Sequence, residues 1–508
     1  MIQNEYVKGY LQSLKSGFPD YHVIETSIQF ENEVFVALVK IGAEKRLVLG
    51  AESSESLPAG FIGERYNHAP GCLMFCPLSH KNAIALRFFL PFTIPVTIGS
   101  KSSFGFGDRL GNAGPAHLRS LMDSDSTFLP ILAQQSIREL DRTGRSAEEV
   151  MDAASWAVLQ AGYRDGFGSD ADHLKTPGDI DRMIAAGFTM FTIDPSDYVD
   201  NRSQGMDQIQ LKQAFGELPW DKLGDRPDKF LDRYTGRTFQ LKGDISIKPS
   251  ENDILRAAVK YGNVLLHTYE MFRYLRDNYS ERDTEVELSV DETPHPTTPE
   301  EHLVIASELQ RIGVELVSLA PRFCGDFEKG IDFKGDIRAF GNEYLLHQAI
   351  AAEYGGYKLS IHSGSDKFSV YQAIGKLDVG YVHVKTAGTS YLEALRAIAL
   401  SDFQLFREIM AFSLKHFDND RKTYHISADI NELKGVDEYS DSELSKLLDD
   451  DNARQIFHVT FGSVLTQRPD DGTSPFRDRL IATLSEYEEV YEDCLYNHFR
   501  KHIRPFEQ

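Results

Sequence analysis

Two short strings hold side chains that could do chemistry together. Asp170-Ala171-Asp172-His173-Leu174-Lys175-Thr176 sets carboxylates beside an imidazole, and Pro177-Gly178 then opens a helix. Ile361-His362-Ser363-Gly364-Ser365-Asp366-Lys367 puts a second imidazole just ahead of another helix. A carboxylate can take and return a proton. Two imidazoles suit a divalent Zn, Ni, Co or Mn ion. The remaining ligand should be a carboxylate, and Asp291, Glu292, Asp326 and Glu328 are candidates that spacing alone does not separate; His383 is a further nitrogen donor. An Asp–His pair also occurs as an ordinary helix-start feature, so its meaning depends on the elements that carry it.

Those elements repeat as a short apolar strand, a polar loop and an amphipathic helix. Strands are predicted at Val96–Ser100, Leu129–Gln134, Gly166–Asp172 and Phe188–Asp194, then at Glu285–Asp291, Val314–Ala320, Tyr357–His362 and Tyr381–Lys385. Gly162, Gly187, Gly313 and Gly355 fall where helices should end. Eight such units predict an α/β fold, a (β/α)8 TIM-type barrel over residues 95–400. Residues 1–94 are β-rich, and 401–508 are mostly helical and acidic. The fourth unit is oversized. Its insertion, around residues 195–280 and loop-like over 195–250, is expected to reach over the barrel mouth.

Alternation then assigns faces. In strand five Val286, Leu288 and Val290 face the helices, so Glu287, Ser289 and Asp291 point inward. Strand seven sends Lys358, Ser360 and His362 inward, and strand eight Tyr381, His383 and Lys385. Active sites of such barrels lie at the carboxyl ends of the strands. Charged groups there suggest an enzyme, against the alternative of a buried ion-pair layer that only fills the centre. Ser102-Ser103-Phe104-Gly105-Phe106-Gly107-Asp108-Arg109 follows the first predicted strand. Asp108, which would repel phosphate, and an incomplete glycine pattern argue against phosphate binding there. Arg109 remains to fix an anionic group, and Lys175 and Lys385 are further cations for a substrate; Lys385 could instead pair with a barrel carboxylate. Ser365 and the corner Lys385-Thr386-Ala387-Gly388-Thr389-Ser390 could serve sugar hydroxyls or a carboxylate.

The formal net charge of −23 argues against nucleic acid or an anionic membrane as partner. The content of 32 Phe and 22 Tyr is ample for a large core, which excludes disorder as an overall reading. The amino terminus is polar, and Ile84–Ile98 is broken by Arg87, Pro91 and Pro95, so neither a signal peptide nor a membrane span is expected. Cys72, Cys76, Cys324 and Cys494 form no complete metal motif and fit a reducing cytoplasm. Nothing in the sequence specifies an oligomer.

Taken as a set, several strings resemble the tagaturonate/fructuronate epimerase family, relatives of which epimerise tagatose and fructose. They are SSFGFGDRLG at 102–111, DADHLKT at 170–176, VELSVDET at 286–293 and SLAPRF at 318–323. FEKGIDF at 327–333, IHSGSDKFS at 361–369 and HVKTAGTSYLEALR at 383–396 complete the set. The resemblance implies a divalent metal and a small hexuronate or ketose substrate. On the matching positions it implies Asp172 and Glu287 as opposed acid/base groups and His173 and His362 as metal ligands. Glu328 is expected as the third ligand, with Asp326 or Asp291 next.

The two ketouronates differ at the carbon β to the ketone, whose hydrogen the carbonyl does not acidify. A β-hydroxy ketone can instead undergo retro-aldol cleavage, rotation of the aldehyde and re-addition to its other face. Class II aldolase, ketose isomerase and non-catalytic sugar binding are the competing readings.

Overall fold

The computed structural model describes residues 5–362, 365–469, 472 and 474–507. At the amino terminus, helix α1 (Glu5–Gly17) precedes strands β1 (His22–Glu31), β2 (Val34–Ile41), β3 (Glu44–Ala51), β4 (Glu64–His68) and β5 (Gly71–Pro77). They form one antiparallel sheet in the order β1-β2-β3-β5-β4. The middle strands are apolar over most of their length, and those stretches are buried on both faces. Tyr10 and Leu14 of α1 cover one side, while Leu86 of α2 (His80–Phe89) and Trp156 cover the other. Cys72 and Cys76 are buried in this sheet, and no disulfide occurs among the described residues.

Eight parallel strands then close a barrel. They are β6 (Ser103–Gly105), β7 (Leu129–Ser136), β8 (Gly168–Leu174) and β9 (Met190–Ile193). After the hairpin β10 (Phe239–Gln240) and β11 (Ser246–Ile247) come β12 (Glu285–Ser289), β13 (Ser318–Ala320), β14 (Lys358–Ile361) and β15 (Val382–Lys385). Between them run α3 (Gly114–Met122), α4 (Ile137–Thr143), α5 (Ala147–Ala161), α6 (Pro177–Ala186), α7 (Gln208–Gly216), α8 (Pro227–Tyr234), α9 (Glu251–Asn278), α10 (Pro299–Arg311), α11 (Ile337–Glu353), α12 (Phe368–Leu377) and α13 (Thr389–Ser401). Local signals set the helix ends. Ser146 with Glu149 and Thr176 with Asp179 form reciprocal caps at the starts of α5 and α6. Gly162 and Gly187 end those helices at φ of 65° and 96°, where a Cβ would be strained.

Three expectations change. Val96–Ser100 is not the first barrel strand. Gly99 turns the chain at φ 66°, and Ile98 packs against Ile131 and Met190 at the amino ends of β7 and β9. That segment plugs the bottom of the barrel, and the first barrel strand is β6 (Ser103–Gly105), within the string that follows it. Tyr381, expected to point inward, precedes β15 and is half exposed. Finally, residues 195–250 do not roof the mouth. The aromatic stripe Phe215, Trp220, Phe230 and Tyr234 packs on itself beside α9, and Arg233 and Tyr234 both donate to Glu308 of α10. The insertion coats the outer helices because its apolar side chains need a partner surface.

The mouth is covered from the other end of the chain. Helices α14 (Phe403–Asp420), α15 (Asp441–Leu444), α16 (Asp451–Thr466), α17 (Phe476–Glu486) and α18 (Glu488–Ile503) pack beside α13, α3 and α4. The connection after α14 brings Thr423, Tyr424 and His425 over the strand ends. No helix among the described residues is long and apolar enough to cross a membrane.

Candidate active site

Asp172 and His173 are neighbours in sequence, and a regular strand would send them to opposite faces. The register of β8 against β9 shifts between Ala171 and Leu174, and His173 sits at φ 53°, a left-handed conformation rare for a non-glycine residue. This bulge turns both side chains toward the mouth, the kind of irregularity that strands place beside active sites. The His173 and His362 rings meet edge to face, 5.1 Å between centroids. Asp172, His173 and His362 each offer a ligand atom within 4.8 Å of the others.

Across the barrel, Lys385 on β15 joins the carboxylates. Its Nζ lies 2.7 Å from Asp172 Oδ1, 2.8 Å from Glu287 Oε1 and 2.8 Å from Asp170 Oδ2, and it donates to Thr192 Oγ1 at 3.0 Å. Burial alone would lower the Lys385 ammonium, but the three carboxylates outweigh it and hold the pKa well above the ordinary range. Burial raises Asp170 to about 6 against the pull of Lys385. Asp172 and Glu287 are held below the usual carboxylate range; burial opposes this, but His173, His362 and Lys385 prevail. Gln134 Nε2 donates to Asp172 Oδ2 at 3.2 Å.

Each imidazole is braced by acids. His173 Nδ1 is 3.2 Å from Asp194 Oδ2, and its Nε2 is 3.8 Å from Asp172. His362 Nε2 is 2.5 Å from Glu287 Oε1 and its Nδ1 is 3.3 Å from Asp291 Oδ1. Burial opposes protonation, yet these carboxylates raise His173 to about 9 and His362 to about 10. Two positive imidazoles therefore stand among converging carboxylates, where a divalent cation would supply the same charge. Glu287 Oε2 is fully buried and has no hydrogen-bond partner among the described residues. Nitrogen and oxygen donors with an uncommitted buried oxygen fit a Zn- or Mn-like ion. His383 lies one layer deeper, bonded to Ser103 and lowered to about 3 by burial, with no place in this cluster.

Glu328 does not join the imidazoles. Its carboxylate accepts from Lys334 Nζ at 3.2 Å, Ser427 Oγ at 2.7 Å and Gln455 Nε2 at 2.7 Å, and so ties the loop after β13 to the carboxy-terminal extension. The 321–336 loop has no periodicity from which that orientation could be read. Asp326 is half exposed and faces Arg322 and His425, whereas Asp291 lies beside His362, on the ring nitrogen that Glu287 does not take. Lys175 points away, paired with Asp197 at 3.0 Å on the surface. Arg109 does reach the cavity wall, but it is buried and paired with Glu139. Asp366 forms a second acid–imidazole group with His498 and His502, but Arg454 already neutralises it at 2.5 Å, so it reads as a clamp between β14's loop and α18. Sequence reading missed Asp194 and Gln134 as partners; Asp194 ends a predicted strand, so the strand-end argument would have found it.

A closed barrel whose strand ends carry paired carboxylates, an ammonium and two braced imidazoles has the form of a barrel enzyme doing acid–base chemistry. The UxaE family model, described as tagaturonate epimerase, matches residues 24–506. A tagaturonate/fructuronate epimerase of Thermotoga maritima is 42% identical over 484 residues, covering 95% of this chain and 96% of that protein. The native crystal structure of a fructuronate-tagaturonate epimerase from Cohnella laeviribosi superposes with a TM-score of 0.89 at 38% identity, over 98% of this chain and 99% of that one. A glycerol complex of that enzyme gives the same TM-score and identity. The chain belongs to the tagaturonate epimerase family, and it is an epimerase of the isomerase class.

Proposed function

We propose that this enzyme interconverts tagaturonate and fructuronate, with tagatose and fructose as neutral counterparts, and that it does so with a divalent metal by retro-aldol chemistry. The observation that carries the mechanism is the pairing of Asp172 and Glu287 through one ammonium, Lys385, at 2.7 and 2.8 Å. Its setting is a chain 42% identical to a tagaturonate/fructuronate epimerase.

His173 and His362 would hold the metal. Asp194 fixes the His173 ring through Nδ1 and leaves Nε2 turned toward the cluster, the outer support that ligating imidazoles usually have. Asp291 beside His362 takes the place expected of Glu328. When bound, the cation supplies Lewis-acid polarisation of the ketone and its neighbouring hydroxyl. The acid/base work falls to the chain's own carboxylates. In one direction Asp172 removes the β-hydroxyl proton, the carbon–carbon bond breaks and an enediolate forms. The aldehyde turns and re-adds through its other face; Lys385 passes a proton by way of Glu287 to the new alkoxide and takes back the one Asp172 holds, so both carboxylates end ionised, and the reverse reaction exchanges the roles. Lys385 keeps both carboxylates ionised and so ready to act as bases. Four free cysteines support a reducing, cytoplasmic setting.

Proton NMR of products tests the reading, with metal-loaded enzyme given tagaturonate, fructuronate, tagatose and fructose separately. Interconversion of the two ketouronates is expected. Net three-carbon fragments would mean an aldolase, and an aldose product an isomerase. Elemental analysis should show metal lost from the His173→Ala/His362→Ala double variant; full occupancy would refute those ligands.

A further inference from the structure

The cavity that holds the acid/base pair has a second end, built by the loop after β6, the start of α13 and the face of α16. Arg109, 4% exposed, uses Nε and Nη2 on one oxygen of Glu139, at 3.1 and 2.9 Å. Its guanidinium carbon lies 3.5 Å from the centre of the Phe461 ring. The remaining nitrogen, Nη1, is buried without a hydrogen-bond partner among the described residues. His458 of α16 is 3% exposed, and its Nδ1 is likewise unpartnered. Burial and the nearby Arg109 push this imidazole well below its ordinary pKa, so it is neutral.

Helix α13 begins between them. Gly388, its cap residue, has no side chain to satisfy the first helical N–H groups, and Thr389 Oγ1 is fully buried and unpartnered. A Cβ at Gly388 would collide with the His458 ring, so glycine is what allows the imidazole to lie against this helix start. Arg109, His458, Gly388 and Ser365 share one cavity with Asp172, His362 and Lys385. Unmet buried polar atoms are costly unless something they can bind occupies the space. Arg109 Nη1 can only donate, and His458 Nδ1 donates in the tautomer that protonates it; both stand by a helix start that favours negative charge, in a chain of net charge −23.

We propose that this end of the cavity is an anion subsite that holds the carboxylate of a hexuronate, with Arg109, His458 and the start of α13 as the specificity determinants. The inference rests on the ketouronate reading above and deepens it. The carboxylate lies two carbons from the inverted centre, so it stays with the aldehyde fragment when the bond breaks. The electron pair of that bond enters the enediolate, and the hydroxyl proton passes to the carboxylate base. With its acid end anchored, the aldehyde turns about one single bond and presents its other face without leaving. On re-addition the pair returns to the carbonyl carbon and the new alkoxide takes a proton.

The test compares wild type with Arg109→Lys, His458→Gln and Thr389→Val, using tagaturonate turnover and competitive inhibition by D-galacturonate and D-galactose. Arg109→Lys keeps the charge but loses Nη1. Thr389→Val replaces an unpartnered buried hydroxyl with a methyl of similar size, so it should fold even if the other two do not. The wild type should bind galacturonate at least tenfold tighter than galactose. The variants should narrow that ratio, raise KM for tagaturonate more than they lower kcat, and release more trapped three-carbon aldehyde acid per epimerisation. No turnover of tagaturonate by the wild type overturns the functional reading. Turnover with no acid preference, with a preference unchanged in the variants, or with competition by inorganic phosphate but not galacturonate overturns the subsite alone.

Discussion

The amino-terminal sheet and the barrel interior are equally dry and chemically opposite. In β2 and β3, Val36, Leu38, Leu47 and Leu49 are fully buried among other apolar side chains. In the barrel, Asp170, Glu287 and Lys385 are 0–1% exposed as well, yet all are ionisable. The first arrangement lowers the free energy directly, at about 25 cal/mol per Å² of apolar surface removed from water. The second requires charges to be stripped of water, and it survives only because each is matched. Apolar packing would fill the barrel as well, so the retained charges mark the region whose composition is set by chemistry.

That contrast can be broken at several points. The largest effect is expected from Asp172→Asn and Glu287→Gln, which should each slow turnover by about 10²–10⁴-fold in initial rates measured with metal-saturated enzyme. Turnover within a few-fold of wild type would remove these groups from the acid/base role. Lys385→Met should strand three buried carboxylates and cost about 3–5 kcal/mol in denaturant unfolding; an unchanged midpoint would mean the barrel centre does not depend on its ammonium. Leu49→Ala in the sheet should cost about 2–5 kcal/mol but leave kcat unaltered, since its cavity opens in a core separate from the barrel. A matching loss of kcat would couple the two regions. Smallest of all, Lys175→Ala should change stability by less than about 1 kcal/mol and leave KM unchanged, because its partner Asp197 is at the surface.

The barrel was legible because its signals are local. Capping pairs such as Thr176 with Asp179 and terminal glycines such as Gly187 punctuate each unit, and strand alternation assigns Glu287, His362 and Lys385 to one interior. What escaped depends on the path of loops. Val96–Ser100 has strand-like composition, but its burial is spent on plugging the barrel floor through Ile98. Glu328 stands after the sixth barrel strand as expected, but its orientation is decided by Ser427 and Gln455, about a hundred or more residues away in sequence. The mouth cover escaped for the same reason, since nothing local says that Tyr424 returns to the strand ends. The bulge at His173 was hidden too, although adjacent acid and imidazole residues sharing a site require some such break in alternation.

The central claim is that the inverted carbon changes hand through cleavage of a carbon–carbon bond, with its own hydrogen untouched. Epimerisation of tagaturonate in deuterated water, followed by NMR, reads this directly. The account predicts fructuronate that retains protium at the inverted carbon. Deuterium at that carbon would contradict it and require direct proton exchange there.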